Sequence, residues 1–542
     1  MSRKSSTRIV LGQINPVVGD IEANQNKIIE AAFQAIKQWQ ADLILLPELC
    51  LSGYPPEDLL FRQEFLQQIK TSIKAIKKKN LNIVIVFGAP VIMKNGLVNA
   101  AVVVRPNQDN IYYAKQKLPN YGVFDEQRYF VSSESAKVFE LNGFIFGLSV
   151  CEDIWFSEPT FQAVQAGAEI MLNINASPYH RSKTTDRIHQ VTQRIAETSV
   201  PVCYVNQVGG QDELVFDGHS FVLDKNQQLK IMAAGHEEQL AAIELTPDGD
   251  IIALSESVEQ ETDTVQLYQS LVLATHDYVV KNGFDGVLLG LSGGIDSALV
   301  LAIAVDALGA EQVQAVMMPY QYTSKMSLTD AAKQAETMQV KYSQIPIHQV
   351  VEAFMAALKS EFSGLKRDTS EENIQARSRG VILMALSNKL GKMLLTTGNK
   401  SEMAVGYATL YGDMAGGFAP LKDVSKMRVY ELARYRNTLS PVIPERVIER
   451  PPSAELAPDQ IDSDSLPAYE ILDQILERYI EMDQSITEII QAGFTEHEVR
   501  RVTRLVDINE YKRRQSPPGV RVSSKAFGKE RRYPISSGFR SR

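Results

Sequence analysis

The chain has 542 residues, too many for one ordinary hydrophobic core, so two large domains are expected. Its hydrophobic fraction of 44% and charged fraction of 22% are those of a soluble globular protein, and a net charge of −9 without an extended basic face, apart from the run Lys512 to Arg542, argues against a nucleic-acid partner. Three scattered cysteines, Cys50, Cys151 and Cys203, exclude a disulfide framework or a Cys-x-x-Cys zinc site and fit a reducing cytoplasm, while no apolar run has the length of a signal-peptide core or a membrane span.

From residue 8 to about 250, short β-branched runs alternate with amphipathic stretches. Strands are expected at Ile9–Gln13, Leu43–Leu46, Ile83–Phe87, Ala101–Val104, Phe144–Val150, Ile170–Ile174 and Val202–Asn206, with helices such as Ile28–Trp39 and Phe65–Lys77 between them. This predicts an α/β sandwich with its reactive groups at strand ends. Glu48 follows one strand, Lys115 and Lys117 follow another, and Cys151 closes the strand from Phe144. A thiol with an ordinary pKa of about 8.5 is mostly protonated at neutral pH, so attack on an amide carbon needs a carboxylate to take its proton. Glu48 suits that role, and a lysine ammonium suits the developing oxyanion. Taken singly, Cys151 reads as a small buried hydrophobe, Glu48 as a surface acid and Lys115 as a solvated charge. Cys50 and Cys203 keep the buried reading. None of the seven histidines accompanies a Gly-x-Ser-x-Gly elbow, which sets a Ser-His-Asp arrangement aside.

The acidic segment 255–264 is poor in large apolar residues and reads as a linker between domains 1–254 and 265–542. Beyond it, Gly286–Leu289 reads as a buried strand and Ala298–Ala304 as a helix, with Gly290-Leu291-Ser292-Gly293-Gly294-Ile295-Asp296-Ser297 between them. Glycines there bring backbone N–H groups to an anion, and the helix start favours negative charge. A Walker loop would carry a lysine where Asp296 stands, and an acid beside polyphosphate calls for a bridging Mg2+ ion. Glu402, in the polar stretch Thr396–Glu402 after the strand Met393–Thr397, can join Asp296 on that ion. Strands at Val313–Met317 and Tyr342–Ile345, with a helix near 328–338, complete a doubly wound parallel sheet whose ligands bind at the carboxyl ends of its strands. Asn373 and Arg377 lie one turn apart on a helix from Glu371, suited to a dinucleotide. Pro451-Pro452 and the acidic Asp459–Asp464 read as a loop, and 466–506 as helices.

In their order along the chain, Glu48, Lys115 and Cys151 resemble the Glu-Lys-Cys triad of the nitrilase superfamily, a resemblance that covers nearly all of residues 1–250. The pattern Lys-x-x-Leu-Pro implies Lys115 rather than Lys117. The run Leu118 to Glu126 resembles the glutaminase domain of glutamine-dependent NAD synthetases, which implies that Tyr121, Ser177 and Lys183 hold glutamine, Arg181 competing with Lys183. Residues Gly290–Ser297 resemble the SGGxDS loop of ATP pyrophosphatases. The TGNKSE stretch, the Glu371–Arg379 run and Asn509–Arg513 resemble NAD synthetase over about 265–535.

The combination resembles the glutamine-dependent NAD synthetase family. It implies ATP-dependent amidation of deamido-NAD (nicotinic acid adenine dinucleotide) with ammonia from glutamine, released within an enclosed passage. Gly290–Ser297 and Thr397 would bind ATP; Asn373, Arg377, Glu402 and Lys512 would bind deamido-NAD; Asp296 and Glu402 would hold Mg2+. A homo-oligomer is implied by analogy. The competing reading is a stand-alone nitrilase-type amidase with a nucleotide-binding regulatory domain.

Overall fold

The computed structural model describes residues 4–453, 455–457 and 466–539, so the acidic segment Asp459–Asp464 lies outside the described residues. The chain divides into two compact units, Met1–Gln266 and Leu267–Arg542.

The first unit is built on two sheets. One runs in the order Ile251–Ala253, Gln239–Leu245, Thr7–Gln13, Leu43–Leu45, Val84–Met93, Gly96–Val104, Ile111–Ala114. The other runs Leu229–Met232, Phe221–Leu223, Val202–Asn206, Ile170–Asn175, Phe144–Val150, Val138–Leu141. Strand alternation sorts their side chains. Ile9, Leu11, Val84 and Val86 meet Phe144, Phe146 and Leu148 in a core between the sheets. Val10, Ile85 and Phe87 face the other way, beneath the helices Ile21–Trp39 and Gln63–Lys78. The second sheet's outer face packs Met171 and Val202 under Val191 and Ile195 of the helix Lys183–Thr198. The result is a helix–sheet–sheet–helix sandwich, as the alternation predicts.

Sequence periodicity misses the β-rich return from Val208 to Ala253, whose strands are three to seven residues long. Runs that short carry little periodic signal. The segment 255–264 is fastened to the first unit through Ser255 Oγ and Ser257 Oγ, which accept from Ala242 N and Met232 N. The helix Asp263–Lys281 starts within it, and the division between the units falls after Gln266.

The second unit holds a four-stranded, all-parallel sheet in the order Lys341–Gln344, Val313–Met317, Val287–Gly290, Met393–Leu395. The order reverses at Val287–Gly290, and the SGGIDS loop leaves that strand's carboxyl end. The helix after it spans Ile295–Leu308, with residues Ile295 and Ser297–Ala304 buried, as expected of a helix flanked by structure on all sides. The C-terminal helices Tyr469–Leu476, Ile486–Gln491 and Glu496–Ile508 pack around a separate core with Leu472, Ile489, Val499 and Val502.

Candidate active sites

Glu48, Lys115 and Cys151 each stand directly beyond a strand of the first unit and are brought together with almost no exposure. Lys115 Nζ donates to Glu48 Oε1 at 2.7 Å and to Glu126 Oε1 at 2.9 Å. Asn99 Nδ2 donates to Glu48 Oε1 at 2.7 Å, and Ala176 N donates to Glu48 Oε2 at 3.0 Å. The turn that carries Glu48 rests on Gly88, where a Cβ would lie 2.0 Å from Leu49 N, so only glycine permits this approach. Cys151 has φ 43°, a left-handed conformation that a non-glycine residue adopts only when its surroundings impose it. Asp153 imposes it. One carboxylate oxygen accepts from Gln116 N and Lys117 N, the other from Val150 N and the Tyr113 hydroxyl, tying the lysine loop to the cysteine turn.

Electrostatics set the resting protonation. Burial pushes the Cys151 thiol well above its ordinary value; Glu48 pushes in the same direction and Lys115 opposes it. The thiol therefore rests protonated, and its proton must be removed during attack. Burial also works against the Lys115 ammonium, but Glu126 and Glu48 more than compensate, and it stays charged. Burial lifts Glu126 to about 7, against the pull of Lys115 and with the push of Glu48. Cys50 and Cys203 are lifted to about 12 by burial, as befits inert core thiols.

Lys117 points elsewhere, 3.5 Å from Glu158 and over the Phe156 ring. The Tyr121 hydroxyl donates to Glu152 Oε1 at 2.8 Å. Ser177 N donates to Asn206 Oδ1. Lys183 sits 4.2 Å above the Trp155 ring with no carboxylate at ion-pair distance among the described residues, and burial followed by Arg187 lowers its ammonium to about 8. Arg181 instead pairs with Asp263. Sequence reasoning missed Asn99, Asp153 and Glu126. Glu126, the last residue of the Leu118–Glu126 motif, and Asp153, two residues after Cys151, had a local signal; Asn99 had none.

In the second unit a cavity of about 700 Å³ opens at the carboxyl end of the sheet, large enough for a nucleotide. Gly290, Leu291, Ser292, Gly294, Ile295, Asp296, Ser297, Thr397 and Glu402 line it. Gly293 does not. At φ +81° it presses against Ser327, where a Cβ would lie 2.4 Å from the carbonyl oxygen, so its part is to let the loop turn. Serine hydroxyls brace the loop: Ser297 Oγ accepts from Ser292 N and donates to Gly294 O, while Ser292 Oγ accepts from Gly294 N.

Asp296 and Glu402 converge on one cation, the Lys426 ammonium, which donates to Asp296 Oδ2 at 2.5 Å and Glu402 Oε1 at 3.2 Å. Two hard carboxylates already sharing a positive charge are a fit donor pair for Mg2+. Asn399 anchors both acids, donating to Asp296 Oδ1 and accepting from Glu402 N.

Asn373, Arg377 and Lys512 lie outside the cavity lining. Asn373 Oδ1 accepts from the Thr409 hydroxyl, Arg377 Nε donates to Leu410 O, and Lys512 Nζ donates to Gly406 O and Ala408 O. The same helix, Thr369–Leu390, turns Ala376, Arg379, Gly380 and Leu383 to the cavity. Arg377 and Arg379 are two positions apart, so their faces differ by roughly 200°. Of Arg379, Lys426 and Arg450, all in the lining, only Arg379 had a sequence signal, as the last residue of the Glu371–Arg379 run.

A Carbon-nitrogen hydrolase family model matches residues 8–249 and an NAD synthase model matches 267–516. The second match sets aside a stand-alone amidase. A glutamine-dependent NAD(+) synthetase of Acinetobacter baylyi is 50% identical over 538 residues, covering 99% of each chain, and one from Aquifex aeolicus is 42% identical over 568 residues, covering 98% of this chain and 99% of its own. The solved structure of the Acinetobacter baumannii glutamine-dependent NAD+ synthetase with ADP superimposes with a TM-score of 0.81 at 48% identity, over 99% of this chain and 100% of that one. With both family segments in order and relatives half identical from end to end, the chain belongs to the glutamine-dependent NAD(+) synthetase family.

Proposed function

We propose that the chain converts deamido-NAD to NAD, with ATP as co-substrate and glutamine as nitrogen source, releasing AMP, pyrophosphate and glutamate. The observation that carries this reading is one chain holding both a buried Cys-Lys-Glu centre and an SGGIDS cavity. At the first centre Cys151 Sγ adds to the side-chain carbonyl of glutamine while its proton passes to Glu48. The Lys115 ammonium faces the developing oxyanion. Glu48 returns the proton to the departing nitrogen, which leaves as ammonia, and a glutamyl thioester remains on Cys151. Water then loses a proton to Glu48, adds to the thioester, and releases glutamate as the thiol is re-protonated. Tyr121, Ser177 and Lys183 hold the amino-acid end of glutamine, Lys183 with a charge that no carboxylate among the described residues holds at ion-pair distance.

At the second centre the nicotinate carboxylate attacks the α-phosphate of ATP, pyrophosphate leaves, and ammonia displaces AMP from the acyl-adenylate. Gly290–Ser297 and Thr397 cradle ATP. Asp296 and Glu402 would hold Mg2+, which when bound neutralises charge on the triphosphate. Asn373, Arg377, Glu402 and Lys512 are assigned to deamido-NAD. Free ammonia becomes non-nucleophilic ammonium in neutral water, which favours an enclosed passage between the two reactions. A homo-oligomer is proposed by analogy with the family alone. Three buried free thiols suit a reducing cytoplasm.

The test is NAD formation from deamido-NAD, ATP and Mg2+, with glutamine or ammonium, in the parent and in Cys151→Ala. The variant is expected to lose glutamine use and keep ammonium use. Retained glutamine use would remove Cys151 from the mechanism.

A further inference from the structure

Behind Ser177 lies a buried charged cluster that the mechanism above does not use. Arg187, on the helix Lys183–Thr198, is 1% exposed and makes a two-oxygen contact with Asp217, at 2.8 and 2.9 Å through Nη1. Asp217 also accepts from the Thr184 hydroxyl at 3.1 Å, and His219 Nδ1 lies 3.1 Å from it. So much fixed machinery exceeds what neutralising one carboxylate requires, and the rest of the guanidinium points to its use. Nη2 donates to Ser177 O at 2.7 Å and to Pro178 O at 3.4 Å, and Nε donates to Ser177 Oγ at 3.2 Å. Two of these three donations, from one planar group, fix the carbonyl and the hydroxyl of Ser177. The Ser177 N–H is held by Asn206 Oδ1 at 2.9 Å, and the next N–H back along the chain, that of Ala176, donates to Glu48 Oε2 at 3.0 Å.

We propose that Arg187, locked by Asp217 and His219, is a positioning residue for glutamine hydrolysis: it orients the Ser177 hydroxyl toward the substrate and holds the Ala176 N–H on Glu48. With one lone pair of Oγ occupied by Arg187, the hydroxyl proton is left to be donated to a glutamine oxygen. The inference rests on the reading of Ser177 as a glutamine contact. Lysine at 187 would keep the charge beside Asp217 but, with a single nitrogen, cannot serve Asp217, Ser177 O and Ser177 Oγ together.

The experiment measures glutamine-dependent kcat and KM in Arg187→Lys, Ser177→Ala and the double variant, with thermal melts and ammonium-supported NAD synthesis as checks of folding. Arg187→Lys is expected to raise KM for glutamine about tenfold and to lower kcat severalfold. In the Ser177→Ala background the same substitution is expected to leave KM within twofold while still lowering kcat, because the Ala176 contact remains affected. A merely structural arginine gives equal KM effects in both backgrounds, and that result overturns the proposal, as does a normal Arg187→Lys enzyme. If Ser177→Ala alone leaves KM unchanged, the reading of Ser177 as a substrate contact falls, and the proposal falls with it.

Discussion

Replacing Lys426 with methionine separates two jobs that its ammonium performs. Its side chain is 2% exposed and pairs with Asp296 and Glu402, each 17% exposed. Removing one partner from a buried ion pair costs about 3–5 kcal/mol, because the remaining charge stays desolvated; the partial exposure of both acids puts the expected loss near the lower end, about 3 kcal/mol. That lowers the second unit's melting transition by roughly 6–12 °C. Mg2+ should then act differently on the two proteins. In the parent the ion must displace an ammonium, whereas in Lys426→Met it meets two carboxylates relieved of that ammonium. At about 100 times its Kd, a ligand stabilises by about 2.7 kcal/mol, so Mg2+ should return most of the variant's loss and raise the parent far less. NAD synthesis should nonetheless fall about 100-fold at saturating Mg2+, for want of a charge facing the departing pyrophosphate. Scanning calorimetry with and without Mg2+, alongside NAD synthesis from ammonium, reads each quantity. Equal melting of the two proteins, or an equal Mg2+ shift in both, would refute the idea that this ammonium stands in for the metal.

Glutamine binding should weaken in alkali. The Lys183 ammonium is lowered to about 8 and is charged below that pH, so KM for glutamine should be flat to about pH 8 and rise above it; a flat profile to pH 9.5 would remove Lys183 from carboxylate recognition. Glu126 is lifted from 4.5 to about 7, so the folded state keeps a proton that the unfolded chain gives up across that window, and this group's contribution to stability falls as pH rises from about 4.5 to about 7. Glu126→Gln should flatten that slope and cut glutamine hydrolysis about 100-fold, and an unaltered stability slope would contradict the assignment. Asp153→Ala strands four donors, Gln116 N, Lys117 N, Val150 N and the Tyr113 hydroxyl, and should cost about 4 kcal/mol in urea unfolding at about 1 kcal/mol for each; a loss under 1 kcal/mol would mean that water replaces the carboxylate.

What was legible in the sequence follows the range of each signal. Glu48, Cys151, Asp296 and Glu402 sit in contiguous motifs at strand ends, where local pattern and chemistry agree. Their strands are recovered because alternation is local too. Asn99, Arg187, Asp217 and Lys426 belong to the same two centres but enter from other elements. Lys426 stands 130 positions from Asp296, and Asn99 stands 51 from Glu48. Tertiary packing alone brings such pairs together, and an isolated lysine or asparagine carries no mark of its destination. Helical phase explains the remainder. Arg377 and Arg379 are equivalent by composition, and only the docking of their helix turns Arg379 to the cavity.

The two centres use the same ingredients, two carboxylates and one lysine, and differ in access to solvent. Around Lys115 everything is closed: Glu48 is fully buried, Glu126 nearly so, and a carboxyl lifted to about 7 can hold or release a proton at neutral pH. A hydrated cation could enter such a space only by stripping its water, whereas proton transfer and a fixed ammonium need no such entry. Around Lys426 the acids remain 17% exposed at the wall of a nucleotide-sized cavity, and neither is as enclosed as its counterpart. There the lysine can yield its place to a divalent ion arriving with ATP and turn its own charge to the phosphates. Burial, more than residue identity, separates the two triads: one is closed off from solvent, and the other stands at the wall of a cavity.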